Sequence, residues 1–315
     1  MRPLQRHNVL VTGGAGFIGS HLVGALTARG DHVRVIDDLS TGRLSNLNDV
    51  PGVELVEADL LTASLEQALR DVDTVYHLAA VPSVPRSVAE PMRSHEAAAT
   101  ATLRLLIAAR SAGVKRLVNS SSSSVYGNAE RPPMKESMPL SPRSPYAVAK
   151  LAAEGYTRVF ASLYGMSTVS LRYFNVFGPR QDPGSPYAAA IPRFISAYLA
   201  RSAPVVYGDG RQSRDFTYVD NVVQANLLAG AAEGLRGESV NIASGRPYSV
   251  LEVLELISSL LGTRVEPVHA PERPGDIRDS HADIGLARRL LGYEATITLP
   301  DGLTRTLEWM RSTVA

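Results

Sequence analysis

The sequence predicts an α/β protein built on a doubly wound parallel sheet, with a smaller α/β unit on its C-terminal side. Three observations support this prediction: a glycine-rich turn after the first apolar strand, a regular alternation of short apolar strands with helical stretches, and a looser, proline-containing pattern beyond Asn175. Strands that alternate with helices form parallel sheets, and the helices cover both faces.

The glycine turn has the spacing of a dinucleotide-binding loop. The strand at 8–12 leads into Gly13, Gly16 and Gly19, and a helical pattern follows. Gly13 permits a tight turn, Gly16 lets the backbone approach a pyrophosphate, and Gly19 lets the helix pack closely on the sheet. The pyrophosphate would then lie at the helix N-terminus, where free N–H groups favour negative charge.

An acidic residue at the end of the second strand supports the same interpretation. Asp37 lies at the required distance of ~20 residues, where a carboxylate binds a ribose diol. Such a carboxylate repels a 2′-phosphate, so the sequence favours NAD over NADP. Arg43 nearby leaves NADP open.

The other elements follow from their apolar runs. Further strands are expected at 32–36, 53–57, 74–78, 117–119 and 168–172, and helices at 91–112, 145–164, 188–200 and 250–261. We expect a Rossmann-type NAD-binding domain at 1–174, with a later contribution from about 216–246. The chain at 175–315 is then mainly a substrate-binding domain that covers the carboxyl ends of the strands.

A second polar cluster predicts redox chemistry at a carbinol. A run of serines at 120–124 follows an apolar strand, and Tyr146 lies four residues before Lys150 on a predicted helix. That spacing places both side chains on one helix face, so the ammonium would favour the ionised phenol and make it a usable base. A serine hydroxyl could bond the same substrate oxygen, and the reaction would need a hydride acceptor.

Composition narrows the class of protein. The chain has 315 residues, 44% of them hydrophobic, enough to bury a sizeable core. With 32 basic and 31 acidic residues, neither a nucleic acid nor a membrane surface is indicated as a partner. There are no cysteines, and the 7 histidines form no metal-binding pair, so we expect no metal site. The lack of disulfides and of an apparent signal peptide favours a soluble, cytoplasmic enzyme.

An ordered set of motifs extends this pattern along the chain. They are TGGAGFIGSH at 12–21, Asp59-Leu60, HLAA at 77–80, SSSSVYG at 121–127, YAVAK at 146–150, RYFNVFGPRQDP at 172–183, GDGRQSRDFTYVDN at 208–221 and PGDIRDSHAD at 274–283. With these motifs the chain resembles the extended short-chain dehydrogenase/reductases, and within them the NAD-dependent nucleotide-sugar 4-epimerases. The resemblance covers about 8–309.

The resemblance implies roles for individual residues. Ser122 matches the catalytic hydroxyl, Tyr146 the base, and Lys150 a lysine that also contacts the nicotinamide ribose. The residues implied at NAD are Gly13, Gly16, Phe17, Ile18, Gly19, Asp37, Asp59, Leu60, Ala79 and Lys150. The residues implied at a UDP-sugar are Ser123, Asn175, Ala189, Arg214, Arg273, Asp276 and Ser280. Of these, the two arginines match diphosphate contacts. Arginine suits that role because its guanidinium bonds two oxygens at once.

The two residues after Ser122 narrow the reaction class. Related dehydratases and decarboxylases carry extra acid/base groups there, whereas this chain has Ser123 and Ser124. Oxidation at C4, rotation of the keto-sugar and return of the same hydride is then the simpler mechanism. The alternatives are a 4,6- or 5,6-dehydratase and a non-catalytic protein that binds NAD or a nucleotide sugar.

The resemblance also bears on the sugar. Ser280 stands where epimerases limited to simple hexoses have a bulky tyrosine, and Ser123 and Ala189 match small pocket residues of enzymes acting on N-acetylated sugars. We therefore expect UDP-GlcNAc and UDP-GalNAc, with UDP-glucose 4-epimerisation as the alternative. Asn175 argues against UDP-glucuronate epimerases, which commonly have threonine there.

Two further features concern the helix at 91–112. Glu96 stands where the family usually has an asparagine near the cofactor, so it either faces solvent or alters cofactor binding.

The helix at 91–112 and the one at 145–164 resemble the pair that relatives use for a four-helix interface. We therefore expect a homodimer, although the apolar faces could instead belong to the core.

Overall fold

The structure, a computed structural model, describes residues 7–127, 132–182, 184, 189–272 and 278–314. Its strands are β1 (Asn8–Thr12), β2 (His32–Asp37), β3 (Glu54–Glu57), β4 (Thr74–His77), β5 (Arg116–Ser122), β6 (Ser167–Tyr173), β7 (Val176–Phe177), β8 (Val205–Tyr207), β9 (Ser213–Asp215), β10 (Thr217–Tyr218), β11 (Glu238–Ile242), β12 (Pro247–Ser249), β13 (Val268–Ala270) and β14 (Asp279–Ser280). Its α-helices are α1 (Phe17–Arg29), α2 (Val84–Ala89), α3 (Pro91–His95), α4 (Ala101–Ser111), α5 (Pro145–Tyr164), α6 (Ala190–Leu199), α7 (Val219–Ala231), α8 (Val250–Leu261), α9 (Gly285–Leu291) and α10 (Leu299–Val314). Short 3₁₀ turns lie at Leu44–Asn46 and Ser123–Tyr126, and a π-helical turn, Glu96–Thr100, joins α3 to α4.

Seven parallel strands form the main sheet in the order β11-β6-β5-β4-β1-β2-β3. The connections change direction between β1 and β4, which lie side by side in this order. Ligands of such sheets bind outside the carboxyl ends of the strands at this point. The late strand β11 completes the sheet by pairing with β6.

The period of two along each strand divides the core between the two faces of the sheet. In β1, Val9 and Val11 pack in a cluster with Leu22 and Leu26 of α1, as well as residues of α7 and α9. Leu10, between them, packs in the opposite cluster with α4 and α5. Apolar side chains on both faces explain why the strands are continuous hydrophobic runs.

A third cluster forms the smaller C-terminal part. It joins α6, α8 and α10 through side chains such as Phe194, Val253 and Leu303. Three small sheets accompany it, in the orders β10-β7, β12-β9-β14 and β13-β8. The predicted α/β fold, with a parallel doubly wound sheet and a smaller C-terminal unit, is confirmed.

The observed bounds of helices and strands agree best with the predicted bounds where adjacent residues determine them. The helices expected at 145–164 and 250–261 are observed with those bounds, whereas the helix expected at 91–112 is divided by the π-helical turn. The strand expected at 117–119 continues to Ser122, because Asn119, Ser120 and Ser121 are buried and stay paired with β6. Among the described residues, no helix is both long and apolar enough to cross a membrane.

Candidate active site

A cleft of about 1690 Å³ lies at the carboxyl edge of the main sheet. It is lined by these residues expected at cofactor or substrate: Gly13, Gly16, Phe17, Ile18, Gly19, Asp37, Asp59, Leu60, Ala79, Ser122, Ser123, Tyr146, Lys150, Asn175, Ala189, Arg214 and Ser280. Arg273 and Asp276 lie outside the described residues. The structure therefore brings together all the candidate residues that it describes.

The glycine turn has no room for side chains. Gly13 has φ +69°, and a Cβ there would stand 2.8 Å from the backbone nitrogen of Ala79. A Cβ at Gly19 would overlap the carbonyl oxygen of Gly13. Helix α1 then begins at Phe17 with Gly16 as its N-cap, with no side-chain cap and no acidic residue in the first turn. This open N-terminus in the cleft fits a pyrophosphate.

Asp37 holds the loop that follows β2. Its two carboxylate oxygens accept one N–H each, from Ala15 and from Leu39, both at 2.9 Å. Burial raises the pKa of this carboxyl, and the two N–H bonds act against the rise. Both oxygens keep a lone pair, so the carboxylate can still accept bonds from a ribose diol.

Arg43 is engaged elsewhere. Its guanidinium forms an ion pair with Asp182 at 2.7 Å. This pair partly neutralises the positive charge that a 2′-phosphate would need, which weakens the NADP alternative. Asp59 is exposed and accepts an N–H from Leu61 at 2.9 Å, while the side chain of Leu60 is buried.

The sequence analysis assigned no role to His77 of the HLAA motif, a buried histidine behind the expected cofactor site. Thr102 donates to the carbonyl of Ala98 at 2.5 Å and accepts from Nε2 of His77 at 2.9 Å. Nδ1 of His77 then accepts from the Thr12 hydroxyl at 2.7 Å, and that hydroxyl accepts the N–H of Ala79 at 3.2 Å. Burial, and secondarily the charge of Lys150, lower the pKa of His77 to about 3, so the ring is neutral.

Ser122, Tyr146 and Lys150 converge at the ends of β5 and α5. Ser122 ends β5, and its hydroxyl accepts the N–H of Ser124 at 3.2 Å. Tyr146 lies in the first turn of α5, which is capped by the Ser144 hydroxyl accepting the N–H of Ala147. Lys150 is 4% exposed and donates to the Ser120 carbonyl at 2.8 Å.

The electrostatics of this group differ from the expectation in one respect. Burial raises the pKa of the Tyr146 phenol, and a hydrogen bond with Ser122 acts against that rise. The sequence predicted that the Lys150 ammonium would lower this pKa, but Lys150 is turned to the Ser120 carbonyl. Burial also lowers the pKa of Lys150 to about 8, although the nearby Glu154 carboxylate raises it in part.

A buried ion pair lies behind the Ser122, Tyr146 and Lys150 group. Glu154, one turn beyond Lys150 on α5, pairs with Arg172 of β6 through two bonds of 2.9 and 2.7 Å. The carboxylate also accepts from Ser121 at 2.5 Å and Ser239 at 2.9 Å. The one sequence signal for this network is a charged residue, Arg172, within an apolar strand.

The side of the cleft where the sequence predicts substrate contacts centres on β9. Arg214 lies on this strand and donates to the Ser213 carbonyl at 2.8 Å, and Ser280 of β14 is its register partner. Ser280 is 5% exposed. Asn175 has φ +34°, and its amide donates to the carbonyl of Asp215 at 3.1 Å. Ala189 occupies the N-cap position of α6 without a side-chain hydrogen bond.

A second cavity of about 280 Å³ shares Asn175, Ala189 and Arg214 with the main cleft. The residues that the sequence did not single out here include Phe194, Tyr207, Gln212 and Phe216. Aromatic walls with a few polar groups suit a flat heterocycle. Their signal in the sequence is weak because the four residues come from separate elements.

Two other expectations concern Glu96 and metal-binding groups. Glu96 is exposed, begins the π-helical turn and lines the main cleft. Within the described part of the chain, no group of three or more His, Cys, Asp or Glu residues could hold a metal ion.

A dinucleotide loop that opens onto a Tyr/Lys pair and a serine defines the class of short-chain dehydrogenase/reductase folds. The family model for the NAD dependent epimerase/dehydratase family matches residues 9–243. The chain belongs to this family, and its cofactor is NAD. Related solved structures at 39% and 33% identity contain NAD.

Individual relatives match almost the whole chain. A UDP-N-acetylglucosamine 4-epimerase from Methanobrevibacter ruminantium, solved with UDP-N-acetylmuramic acid, is 44% identical with a TM-score of 0.94 over 98% of this chain and 99% of that one. The UDP-glucose 4-epimerase of Thermotoga maritima, solved with UDP-glucose, is 38% identical with a TM-score of 0.92 over 98% and 100%. A UDP-glucose 4-epimerase of Mycolicibacterium smegmatis is 40% identical over 96% of this chain and 98% of its own.

Proposed function

We propose that this protein is an NAD-dependent UDP-sugar 4-epimerase that interconverts UDP-GlcNAc and UDP-GalNAc. The main support is the single cleft that joins the glycine loop, the Ser122, Tyr146 and Lys150 group, and Arg214. The residues at 1–174, with a contribution from about 216–246, form the cofactor half in this proposal. The residues at 175–315 form mainly the substrate half.

In this proposal, side chains at the end of β5 and in the first turn of α5 transfer the proton. Tyr146, as phenolate, takes the proton of the C4 hydroxyl while Ser122 bonds the same oxygen. Bound NAD supplies the acceptor, and later the donor, of the C4 hydride. After the 4-keto sugar has turned over and C4 has regained a hydride on its opposite face, Tyr146 returns the proton to the C4 oxygen.

Lys150 acts as the cation of the site. Its Nζ has lost most of its water and bonds the carbonyl of Ser120, so its charge is poorly screened. A protonated Lys150 favours the phenolate form of Tyr146 once ligands complete the cleft. The buried Glu154 carboxylate, which raises the pKa of Lys150, supports the charged state.

The surroundings of Ser122 favour epimerisation over elimination. A dehydratase needs an acid or base that moves a proton next to the keto group, and the neighbouring positions hold Ser123 and Ser124. Both line the cleft. With no carboxylate at these two positions, hydride return is the simplest outcome. Intact Ser122, Tyr146 and Lys150 argue against a non-catalytic binding protein.

The other end of the cleft suits a uridine diphosphate. Arg214 lies where the main cleft meets the second cavity, so a diphosphate beside its guanidinium would direct the base into the aromatic slot. In this proposal Asn175 contacts the substrate between the two ends. Arg273 and Asp276 are proposed as further diphosphate and ribose contacts on the resemblance alone.

The preference for an N-acetylated sugar rests on small side chains. Ser280 is nearly buried beside Arg214, and Ser123 and Ala189 also line the cleft. One relative is named for UDP-N-acetylglucosamine, while two others are named for UDP-glucose. UDP-glucose epimerisation is therefore the second candidate, because the loss of one bulky side chain discriminates by only about 1–3 kcal/mol.

We also propose a homodimer formed through α4 and α5. Large apolar side chains on these helices are exposed: Ile107, Val148, Tyr156, Val159, Leu163 and Tyr164. Apolar residues at helical spacing on a pair of adjacent helices suit a four-helix interface.

Nuclear magnetic resonance tests the reaction directly. Purified protein is incubated with UDP-GlcNAc and, in parallel, with UDP-glucose, and the anomeric protons are followed without added reductant. UDP-GalNAc formed faster than UDP-galactose supports the proposal, and the opposite ratio supports the second candidate. An alkene or keto product would indicate a dehydratase, and no change with either sugar would contradict both candidates.

A further inference from the structure

Asp215 is a fully buried carboxylate behind the part of the cleft that is proposed to bind substrate. It ends β9 directly after Arg214 and is 0% exposed. Oδ1 accepts the N–H of Ser244 at 2.8 Å and its hydroxyl at 2.6 Å. Oδ2 accepts the N–H of Gly245 at 3.0 Å and that of Ala282 at 3.3 Å. All four bonds come from groups distant in the chain.

The donors lie on two segments that border the site. Ser244 and Gly245 follow β11, the last strand of the main sheet. Ala282 lies two residues after Ser280, which pairs with β9 opposite Arg214. The carboxylate therefore ties β9 both to the end of the main sheet and to the segment that carries Ser280.

The backbone of the same residue holds a fourth segment. The carbonyl of Asp215 accepts the side-chain amide of Asn175 at 3.1 Å. Asn175 has φ +34°, a conformation that costs free energy outside glycine and needs support from its surroundings. Asn175, Arg214 and Ser280 thus all depend on the placement of one residue.

We propose that Asp215 is the positioning residue of the UDP-sugar site, through which Asn175, Arg214 and Ser280 are held in the geometry that binds substrate. The inference rests on the proposed function, because it takes the ligand of these three residues to be a uridine diphosphate sugar. Asp215 itself does not line the cleft, so it acts through its neighbours.

A carboxylate is required because all four partners donate. An ionised carboxylate only accepts hydrogen bonds, and its two oxygens offer about four lone-pair sites. An asparagine at 215 would place an NH₂ group against at least one of the backbone N–H groups of Ser244, Gly245 and Ala282 and leave that donor unsatisfied in the interior. The glycine loop makes none of these four bonds, so the NAD site has no reason to change.

The test measures two affinities on the same variant. Calorimetric titration of Asp215→Asn with UDP, and separately with NAD, is compared with the wild-type protein. We expect the Kd for UDP to rise by about tenfold or more, with the Kd for NAD unchanged within twofold. In turnover assays the KM for the UDP-sugar rises more than kcat falls. Asp73→Asn is the matched control, because its carboxylate pairs with Lys115 and does not line the cleft.

A milder variant covers the case in which Asp215→Asn does not fold. Ser244→Ala removes the hydroxyl that donates to Oδ1 and accepts the N–H of Arg246, and it keeps the backbone bonds to Asp215. It should raise the Kd for UDP in the same direction by a smaller factor, again without changing NAD affinity.

Each outcome is decisive. A wild-type protein that binds UDP, with folded Asp215→Asn or Ser244→Ala proteins that bind it equally well, overturns the positioning role and leaves the proposed function intact. Parallel losses of UDP and NAD affinity also overturn it, since the residue would then support the whole fold. A wild-type protein that does not bind UDP contradicts the proposed function itself, and this inference with it.

Discussion

Lys150 shows how the surroundings of one residue determine its charge and its hydrogen bond. Its spacing from Tyr146 predicts a shared helix face, and the structure adds a buried Nζ bonded to the Ser120 carbonyl. Spacing cannot reveal that carbonyl, because it belongs to a strand that packs on α5 only in the folded protein. Burial favours the neutral amine, and the Glu154 carboxylate favours the charged form.

Tyr146→Phe tests the base. Loss of the phenol removes proton transfer at the C4 oxygen, so kcat should fall by about 10²–10⁴-fold with UDP and NAD affinities kept. Steady-state kinetics and calorimetry measure the two effects. Tyr156→Phe on the same helix is the control and should change kcat by less than about twofold, because Tyr156 does not line the cleft. Near-normal turnover in the Tyr146 variant would rule out its role as base.

The lowered pKa of Lys150 predicts a pH-dependent difference in stability. Because the folded value of about 8 lies below the unfolded value near 10.5, the unfolded chain holds more protons between these values. The free energy of unfolding of the ligand-free wild type should therefore rise relative to Lys150→Met between pH 8 and pH 10.5. The gain is no more than about 3 kcal/mol. Denaturant titrations at several pH values measure it, and a difference that is flat or falls with pH would contradict the burial of the ammonium.

Ser280→Tyr tests the size of the sugar pocket. A phenol ring at this nearly buried position takes the space proposed for an N-acetyl group. The kcat/KM for UDP-GlcNAc should fall by about tenfold or more relative to that for UDP-glucose. UDP-glucose turnover by the same variant serves as the internal control. An equal loss on both sugars would refute the pocket argument.

At the scale of elements, α5 and β5 show what the sequence can and cannot predict. The bounds of α5 follow from adjacent residues: Ser144 caps the start, Pro145 takes the first helical position, and Gly165 ends the helix with φ +68°. The extension of β5 through polar residues does not follow from adjacent residues. Its serines are stable inside because Ser121 bonds Glu154, a partner that only tertiary packing supplies.

The Glu154–Arg172 pair holds α5, β5 and β6 together, so its loss should cost stability. Glu154→Gln leaves the Arg172 guanidinium buried without its carboxylate, and the free energy of unfolding should fall by about 3–5 kcal/mol. Urea denaturation measures the change. Glu266→Gln removes the partner of Arg264 from a pair in which both side chains are more than three-quarters exposed. It should cost less than about 1 kcal/mol, and equal losses in the two variants would contradict the argument.

For the whole molecule, the sheet and its site edge were predictable because periodicity and glycine spacing are repeated, local signals. The second cavity was not, since its lining comes from β7, α6, β8 and β9. The Asp215 bonds were not either, since they join β9 to the loop after β11 and to Ala282 beyond β14. The same limit applies to assembly: the exposed side chains on α4 and α5 are apparent only once the core is known.

Leu163→Glu tests the proposed dimer. Leu163 is 69% exposed on α5, and a carboxylate there would be buried unpaired in the four-helix interface. Sedimentation should show a dimer for the wild type and a monomer for the variant. Val268→Glu, at a 55% exposed position on β13, is the control and should remain dimeric. A wild type that sediments as a monomer would contradict the proposal.

The position of β11 in the main sheet has a consequence for how the chain is made. Until residues 238–242 leave the ribosome, β6 has no neighbour on one side, and at ~5–20 residues per second this interval lasts several seconds. An unpaired edge strand is a template for association with other chains. During the same interval Glu154 lacks its bond from Ser239. The nascent protein therefore exposes an aggregation-prone edge after β6 has been synthesised and before β11 follows.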